Sequence, residues 1–173
     1  SSKGNVEVVR LLLSKSGIDI NKATKEGATA LFMASWNNHV EMVELLLSKS
    51  DIDINKAMNS GWTALVIASE KGHVEVLSLL LSKSDIDINK AMNDGATALF
   101  IASLNNHVEV VHLLLSNSDI DINKATKKGA TALFIASQNG HVDVVRLLLS
   151  KNCIDINKAK KDGATALYIA SQK

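Results

Sequence analysis

Five evenly spaced glycines constrain this chain more than any other feature of it. Gly27, Gly61, Gly95, Gly129 and Gly163 stand 34 residues apart. The whole unit recurs with them: 27–60 and 61–94 agree at 24 of 34 positions, and the copy at 129–162 reads GATALFIASQNGHVDVVRLLLSKNCIDINKAKKD. A period of this length marks a repeat array, in which no unit can bury its own apolar face and neighbours must supply the cover. Four full units (27–60, 61–94, 95–128 and 129–162) lie between partial ones at 1–26 and 163–173, so 1–173 reads as a single array.

Within a unit, the residue types dictate the local structure. Thr29, Thr63, Thr97, Thr131 and Thr165 are placed as N-caps, each hydroxyl able to accept from a free amide of the first helical turn. ALFIAS then reads as a short helix whose alanines permit close approach to a neighbour. A polar break follows (WNN, EKG, LNN or QNG). HVEVVxLLLS is a second helix, apolar on nearly every side, which requires more than one neighbour to cover it. Gly17, Asp51, Asp85 and Asp119 share a position after it where a left-handed turn is expected. The alternating DIDIN stretch is too short for a sheet of its own and reads as an extended arm ending in a hairpin-like turn before the next Gly. Aromatic residues are only 3% of the chain, so the core must be Leu, Ile, Val and Ala. Proline is absent, which leaves Gly, Asn, Asp and Ser to make the turns.

This pattern resembles the ankyrin repeat. The family signature of G-x-T-P-L-H-x-A-A, G-H-x-x-x-V-x-x-L-L and A-D-V-N is matched by GATALFIAS, by GHVDVVRLLL (140–149) and by DIN (155–157), and the resemblance spans the chain. It implies an all-α solenoid of stacked helix–turn–helix units with protruding hairpin-like arms. The departures are systematic. The family's Pro is Ala30, Ala64, Ala98, Ala132 or Ala166, which gives up a preset first turn. The His of the same motif is Phe32, Val66, Phe100, Phe134 or Tyr168, where packing is expected to replace a linking hydrogen bond. One additional residue between LLL and DIN is expected to lengthen the second helix or reshape the turn after it. The matching arm asparagine (Asn21, Asn55, Asn89, Asn123 or Asn157) is in some members a target of asparaginyl hydroxylation. The residues themselves point instead to side-chain hydrogen bonds that hold the turn.

Nothing in the sequence assembles a catalytic constellation, and no enzyme activity, cofactor or metal is expected. His39, His73, His107 and His141 each open a second helix, successive ones separated by roughly the 8–10 Å of a helix packing distance, too far to share a metal whose bonds are about 2 Å. His112 is expected on the surface. The paired aspartates read as turn formers rather than as a general acid and base, which would need opposed carboxylates with split pKa values. The net charge of +1 gives no overall pull toward nucleic acid or anionic lipid. A single cysteine, Cys153, allows no internal disulfide and fits a reducing compartment. With no apolar run near the roughly 20 residues of a membrane span and no signal-peptide pattern, the expected location is intracellular, in the cytoplasm.

The copies differ from one another at few places. These are the residue after each Gly, where Trp62 replaces Ala; the end of the first helix (Trp36–Asn37, Glu70–Lys71, Leu104–Asn105, Gln138–Asn139); and the residues before each Gly, among them Met58–Asn59 and Met92–Asn93. Stacking leaves these positions unconstrained. The resemblance implies that they form the concave recognition face. Exposed Trp and Met are typical binding hot spots, and toward the C-terminus the face turns basic through Lys124, Lys127, Lys128, Lys158, Lys160 and Lys161. The expectation is a protein-binding scaffold for a protein or peptide partner, with Trp62 displayed rather than packed. Two alternatives stay open: a spacer segment of a longer protein, and head-to-tail association of copies through ends whose residues match internal repeats rather than polar caps.

Overall fold

The computed structural model describes residues 2–172, with the side chains of residues 2–4 outside the description. Ten helices follow one another: α1 (Ser2–Leu13), α2 (Ala30–Trp36), α3 (Val40–Leu47), α4 (Ala64–Lys71), α5 (Val74–Leu81), α6 (Ala98–Leu104), α7 (Val108–Leu115), α8 (Ala132–Asn139), α9 (Val142–Leu149) and α10 (Ala166–Ala170). There is no strand among the described residues. The chain forms two compact units, one up to Asp87 and one from Ile88, so the division falls inside an arm rather than at a repeat boundary. In the first, α2 packs on α3 and α4, and α3 on α1 and α5; in the second, α8 lies between α6 and α10, with α7 and α9 behind.

Each first helix begins as its residues require. The hydroxyls of Thr29, Thr63, Thr97, Thr131 and Thr165 accept from the amides of Phe32, Val66, Phe100, Phe134 and Tyr168 at 3.2–3.3 Å. This N-cap starts the helix without the proline that follows the Thr in the family signature. The alanines of α4 and α6 are buried, together with Leu65, Ile67 and Leu99. In the second helices Val43, Leu46, Val76, Leu77, Leu80, Val110, Val111 and Leu114 are buried, so the core is mainly aliphatic, with Phe32 and Phe134 buried among the first helices. The hydroxyls of Ser35 and Ser103 are fully buried and have no hydrogen-bond partner, whereas that of the equivalent Ser69 donates to Leu65 O at 2.8 Å.

The turn geometry differs from the sequence expectation in two places. Gly17 is left-handed (φ 85°), but Asp51, Asp85 and Asp119 are not. The left-handed residues lie instead between the two helices, at Asn38 (φ 55°), Gly72 (φ 71°), Asn106 (φ 59°) and Gly140 (φ 70°). This explains why the break reads NN, KG or NG, since Asn and Gly are the residues that tolerate this conformation. The additional residue after LLL does not lengthen the helix, which ends at Leu47, Leu81, Leu115 and Leu149. It is absorbed by two successive turns, closed in one copy by Lys49 N–H to Leu46 O and Ile52 N–H to Lys49 O. The extra residue thus alters the connection and leaves the helices unchanged.

Arms are joined from one copy to the next. The side chain of Asn21 donates to Asp51 O (2.6 Å) and accepts from Asp53 N–H (2.7 Å). Asn55 makes the same pair of bonds to Asp85 O and Asp87 N–H, and Asn123 to Cys153 O and Asp155 N–H. The expectation that this asparagine holds its own turn is therefore corrected: its amide grips the following arm. Its own turn is held by the aspartate two residues earlier, as when Asp53 accepts from Asn55 N–H at 3.1 Å. No helix among the described residues is long and apolar enough to cross a membrane.

Candidate functional site

In the second unit the hairpin turns and the first helices border a groove. The turn is closed by the residue three before each Gly: Met58 N–H donates to Trp62 O at 2.8 Å, and Gly61 N–H returns to Met58 O at 2.8 Å. The same two bonds recur around Met92, Thr126 and Lys160. Successive tips are also linked, by Asn59 N–H to Glu26 O, Lys127 N–H to Asp94 O and Lys161 N–H to Lys128 O, at 2.7–3.1 Å.

The first unit carries an aromatic cluster at the end of α2. Trp36 ends α2 with its side chain 44% exposed. Its ring meets Phe32 at a centroid distance of 5.9 Å, tilted by 58°. The ammonium of Lys71 sits 4.9 Å from the Trp36 ring centroid, and Glu70 lies 3.3 Å from the same ammonium. An exposed cation–π contact of this kind contributes about 0.5–1 kcal/mol, enough to bias the indole toward one orientation. Three side chains that differ between copies thus touch each other.

In the second unit the groove widens into two adjoining pockets. One, of about 560 Å³, lies between the tips at Asp94, Lys127 and Lys128 and the helix residues Phe100, Phe134 and Gln138. The other, of about 760 Å³, lies between Lys160, Asp162 and Gly163 on one side and Phe134, Tyr168 and Gln172 on the other. Lys160 belongs to both; it stands 5.1 Å from the Phe134 ring centroid and 2.8 Å from Asp162. The Asp162 carboxyl is held below the usual carboxylate range by its hydrogen bond from Lys160 and by the amide of Ala164.

Comparison with known proteins fits this arrangement. Family profiles described as "Ankyrin repeats (3 copies)" match residues 50–126 and 118–173, and one described as "Ankyrin repeats (many copies)" matches 1–47. The chain belongs to the ankyrin repeat family. Among solved structures it is similar to the ankyrin repeat protein EF0377, at 28% identity and a TM-score of 0.89, covering 96% of this chain and 85% of that one. No curated protein matches it. Ankyrin repeats are in general protein–protein interaction modules without enzymatic activity of their own.

Against that family frame, the residues singled out by variation fall into two groups. Trp36, Leu104, Lys71 and Asn93 are exposed, and Met58, Trp62, Glu70, Met92 and Gln138 are half-buried. The asparagines are tied to backbone: the Asn37 amide donates to Met33 O (2.8 Å), Asn105 to Ile101 O (3.0 Å), Asn59 to Lys25 O (2.9 Å) and Asn139 to Leu104 O (3.4 Å). Trp62 is not displayed as clear of the surface as its sequence context suggests. Its counterparts Ala96 and Ala130 are only 1% and 9% exposed, so the backbone here runs close against its surroundings and a Trp at this position is half covered.

Of the four repeated histidines, His73 and His141 show a structural role that the sequence signals only by their recurrence. None caps its helix through the ring. Instead His73 Nε2 lies 3.1 Å from Trp36 O, and His141 Nε2 3.0 Å from Leu104 O. A second-helix histidine thus satisfies the last carbonyl of the preceding first helix, a link between copies that the TAL motif no longer supplies. Sequence reasoning missed Phe100, Phe134 and Tyr168 as groove residues. The packing expected at this position holds for Phe32 (3% exposed), Val66 (1%) and Phe134 (3%), whereas Phe100 is half-buried and Tyr168 is 56% exposed; Phe100, Phe134 and Tyr168 also line the pockets.

Proposed function

We propose that this chain binds a protein partner on the face formed by its hairpin turns and first helices. The observation that carries the reading is Trp36: a large apolar side chain, substantially exposed, held in place by Phe32 and Lys71. A pre-oriented exposed aromatic is a typical binding anchor, because little rotamer freedom remains to be lost on association. Around it Met58, Trp62, Glu70 and Lys71 supply the remaining contact groups of the first unit, and Met92, Asn93, Leu104 and Gln138 those of the second. The amides of Asn37, Asn59, Asn105 and Asn139 act mainly to fix the backbone beneath them. An intracellular location suits this role.

Peptides selected by display against the whole chain provide the test. Trp36→Ala should weaken selected binders at least tenfold, about 1.4 kcal/mol, while the thermal midpoint moves little. Binders indifferent to Trp36→Ala and to the second-unit groove would favour the spacer reading instead.

A second reading, contact between copies of the chain, is supported by the exposure of Val8, Leu11 and Leu12 on α1 and of Leu167 on α10. Sedimentation velocity should then show concentration-dependent growth that Leu167→Lys suppresses. A strict monomer across a wide concentration range would eliminate it.

A further inference from the structure

We infer that the groove of the second unit takes an extended acidic segment carrying regularly spaced apolar side chains. The inference rests on the partner-binding reading above and adds the chemistry of the partner to it. Two observations carry it.

The floor is apolar and periodic. Phe100, Phe134 and Tyr168 occupy the same position in successive copies, 34 residues apart, on α6, α8 and α10. Adjacent packed helices lie roughly 8–10 Å apart. Three residues of a polyproline-like segment, whose side chains return to the same side at every third position, cover about the same distance. An apolar side chain at every third position would therefore meet the two pockets in turn, one bordered by Phe100 and the other by the exposed Tyr168, with the buried Phe134 beneath both.

The rim is basic in a way the formal charges understate. Its acidic members are exposed but locally engaged: Asp94 accepts from Ala96 N–H at 2.9 Å, and Asp162 accepts from Ala164 N–H at 3.1 Å and from Lys160 at 2.8 Å. Lys127, Lys128 and Lys161 are exposed and form no ion pair among the described residues. Their positions on the tips are fixed by backbone bonds from Lys127 N–H to Asp94 O and from Lys161 N–H to Lys128 O. Lys127 and Lys128 thus border the aromatic floor and Lys161 stands on the next tip, none of them paired with a carboxylate among the described residues. A partner carrying carboxylates between apolar side chains complements both features, whereas a basic one would meet like charge.

The experiment uses the full chain and three labelled twelve-residue peptides with the repeating triplets Glu-Glu-Leu, Lys-Lys-Leu and Glu-Glu-Ser, followed by fluorescence anisotropy. The Glu-Glu-Leu peptide should bind at least tenfold more tightly than either of the others, and raising the salt should weaken it. The triple variant Lys127→Gln, Lys128→Gln, Lys161→Gln should reduce that binding tenfold or more with an unchanged thermal midpoint, because the backbone bonds of these residues remain. Equal binding of the Glu-Glu-Leu and Lys-Lys-Leu peptides, or binding indifferent to the triple variant, would overturn the inference. Failure of the Glu-Glu-Leu peptide to bind while display-selected binders still need Trp36 would also refute it and leave the partner-binding reading intact. Selected binders that need neither face would remove both.

Discussion

Gly129→Ala should destabilise the chain by about 3 kcal/mol, and Gly163→Ala by about 1 kcal/mol. Both glycines are left-handed, at φ 86° and 85°. An L-residue in that conformation pays roughly 1–2 kcal/mol. They differ in what a methyl group would meet. At Gly129 a Cβ would stand 2.9 Å from Lys160 Cα and 2.9 Å from Lys161 N, both backbone atoms of the next tip. At Gly163 nothing lies within 4 Å. Overpacking against atoms that cannot turn aside adds about 1–3 kcal/mol. Gly27 faces the same obstruction from Met58 Cα at 2.8 Å, so Gly27→Ala should behave like Gly129→Ala. Urea titration of the variants, followed by helical circular dichroism, measures the difference. Equal losses at Gly129 and Gly163 would show that strain alone makes glycine necessary, and that close approach of the tips contributes nothing.

Asn123→Ala is expected to remove about 2 kcal/mol. The side chain makes two bonds to the following arm, donating to Cys153 O at 2.7 Å and accepting from Asp155 N–H at 2.8 Å. Each such bond is worth about 1 kcal/mol net. Asn157 occupies the equivalent place but has no following arm among the described residues. Asn157→Ala should therefore stay within about 0.5 kcal/mol of the unaltered chain, as surface substitutions usually do. A matched pair of variants separates bridging from turn formation, since both asparagines sit in the same kind of turn, with Asp121 and Asp155 accepting from their amides at 3.1 Å. Similar losses at the two positions would return the asparagine to a local role.

How far the sequence could be read follows from the range of each interaction. The helix starts were legible because the threonine cap acts over three residues. The aliphatic second helix was legible because its apolar residues lie within two turns. Long-range partners were not. Asn21 looks like a turn residue, and only the stacked arms show that its amide reaches Asp51 and Asp53. The histidines recur visibly, yet their ring partners lie 37 residues earlier. The left-handed position expected after the second helix holds at Gly17 but not at the aspartates that share its place, and the Asn and Gly of the NN, KG and NG breaks hold the others. Variation between copies did pick out Trp36, Glu70 and Lys71, which the structure brings into contact. It did not pick out Phe100 and Tyr168, because an apolar side chain in place of the motif's His reads as packing, which holds for Phe32, Val66 and Phe134 but not for the exposed Tyr168.

The links between arms have a consequence for how such a chain changes in length. Asn21, Asn55 and Asn123 reach main-chain atoms, not side chains, and so do the tip bonds from Asn59, Lys127 and Lys161. The join therefore asks nothing of the neighbour's identity at the positions that differ between copies. Within either unit, a further 34-residue copy could be duplicated into place or lost, and each new junction would find the same partners as the old one. Recombination can then lengthen or shorten the gene in whole repeats while the display residues diverge independently, so that fold and specificity are free to evolve separately.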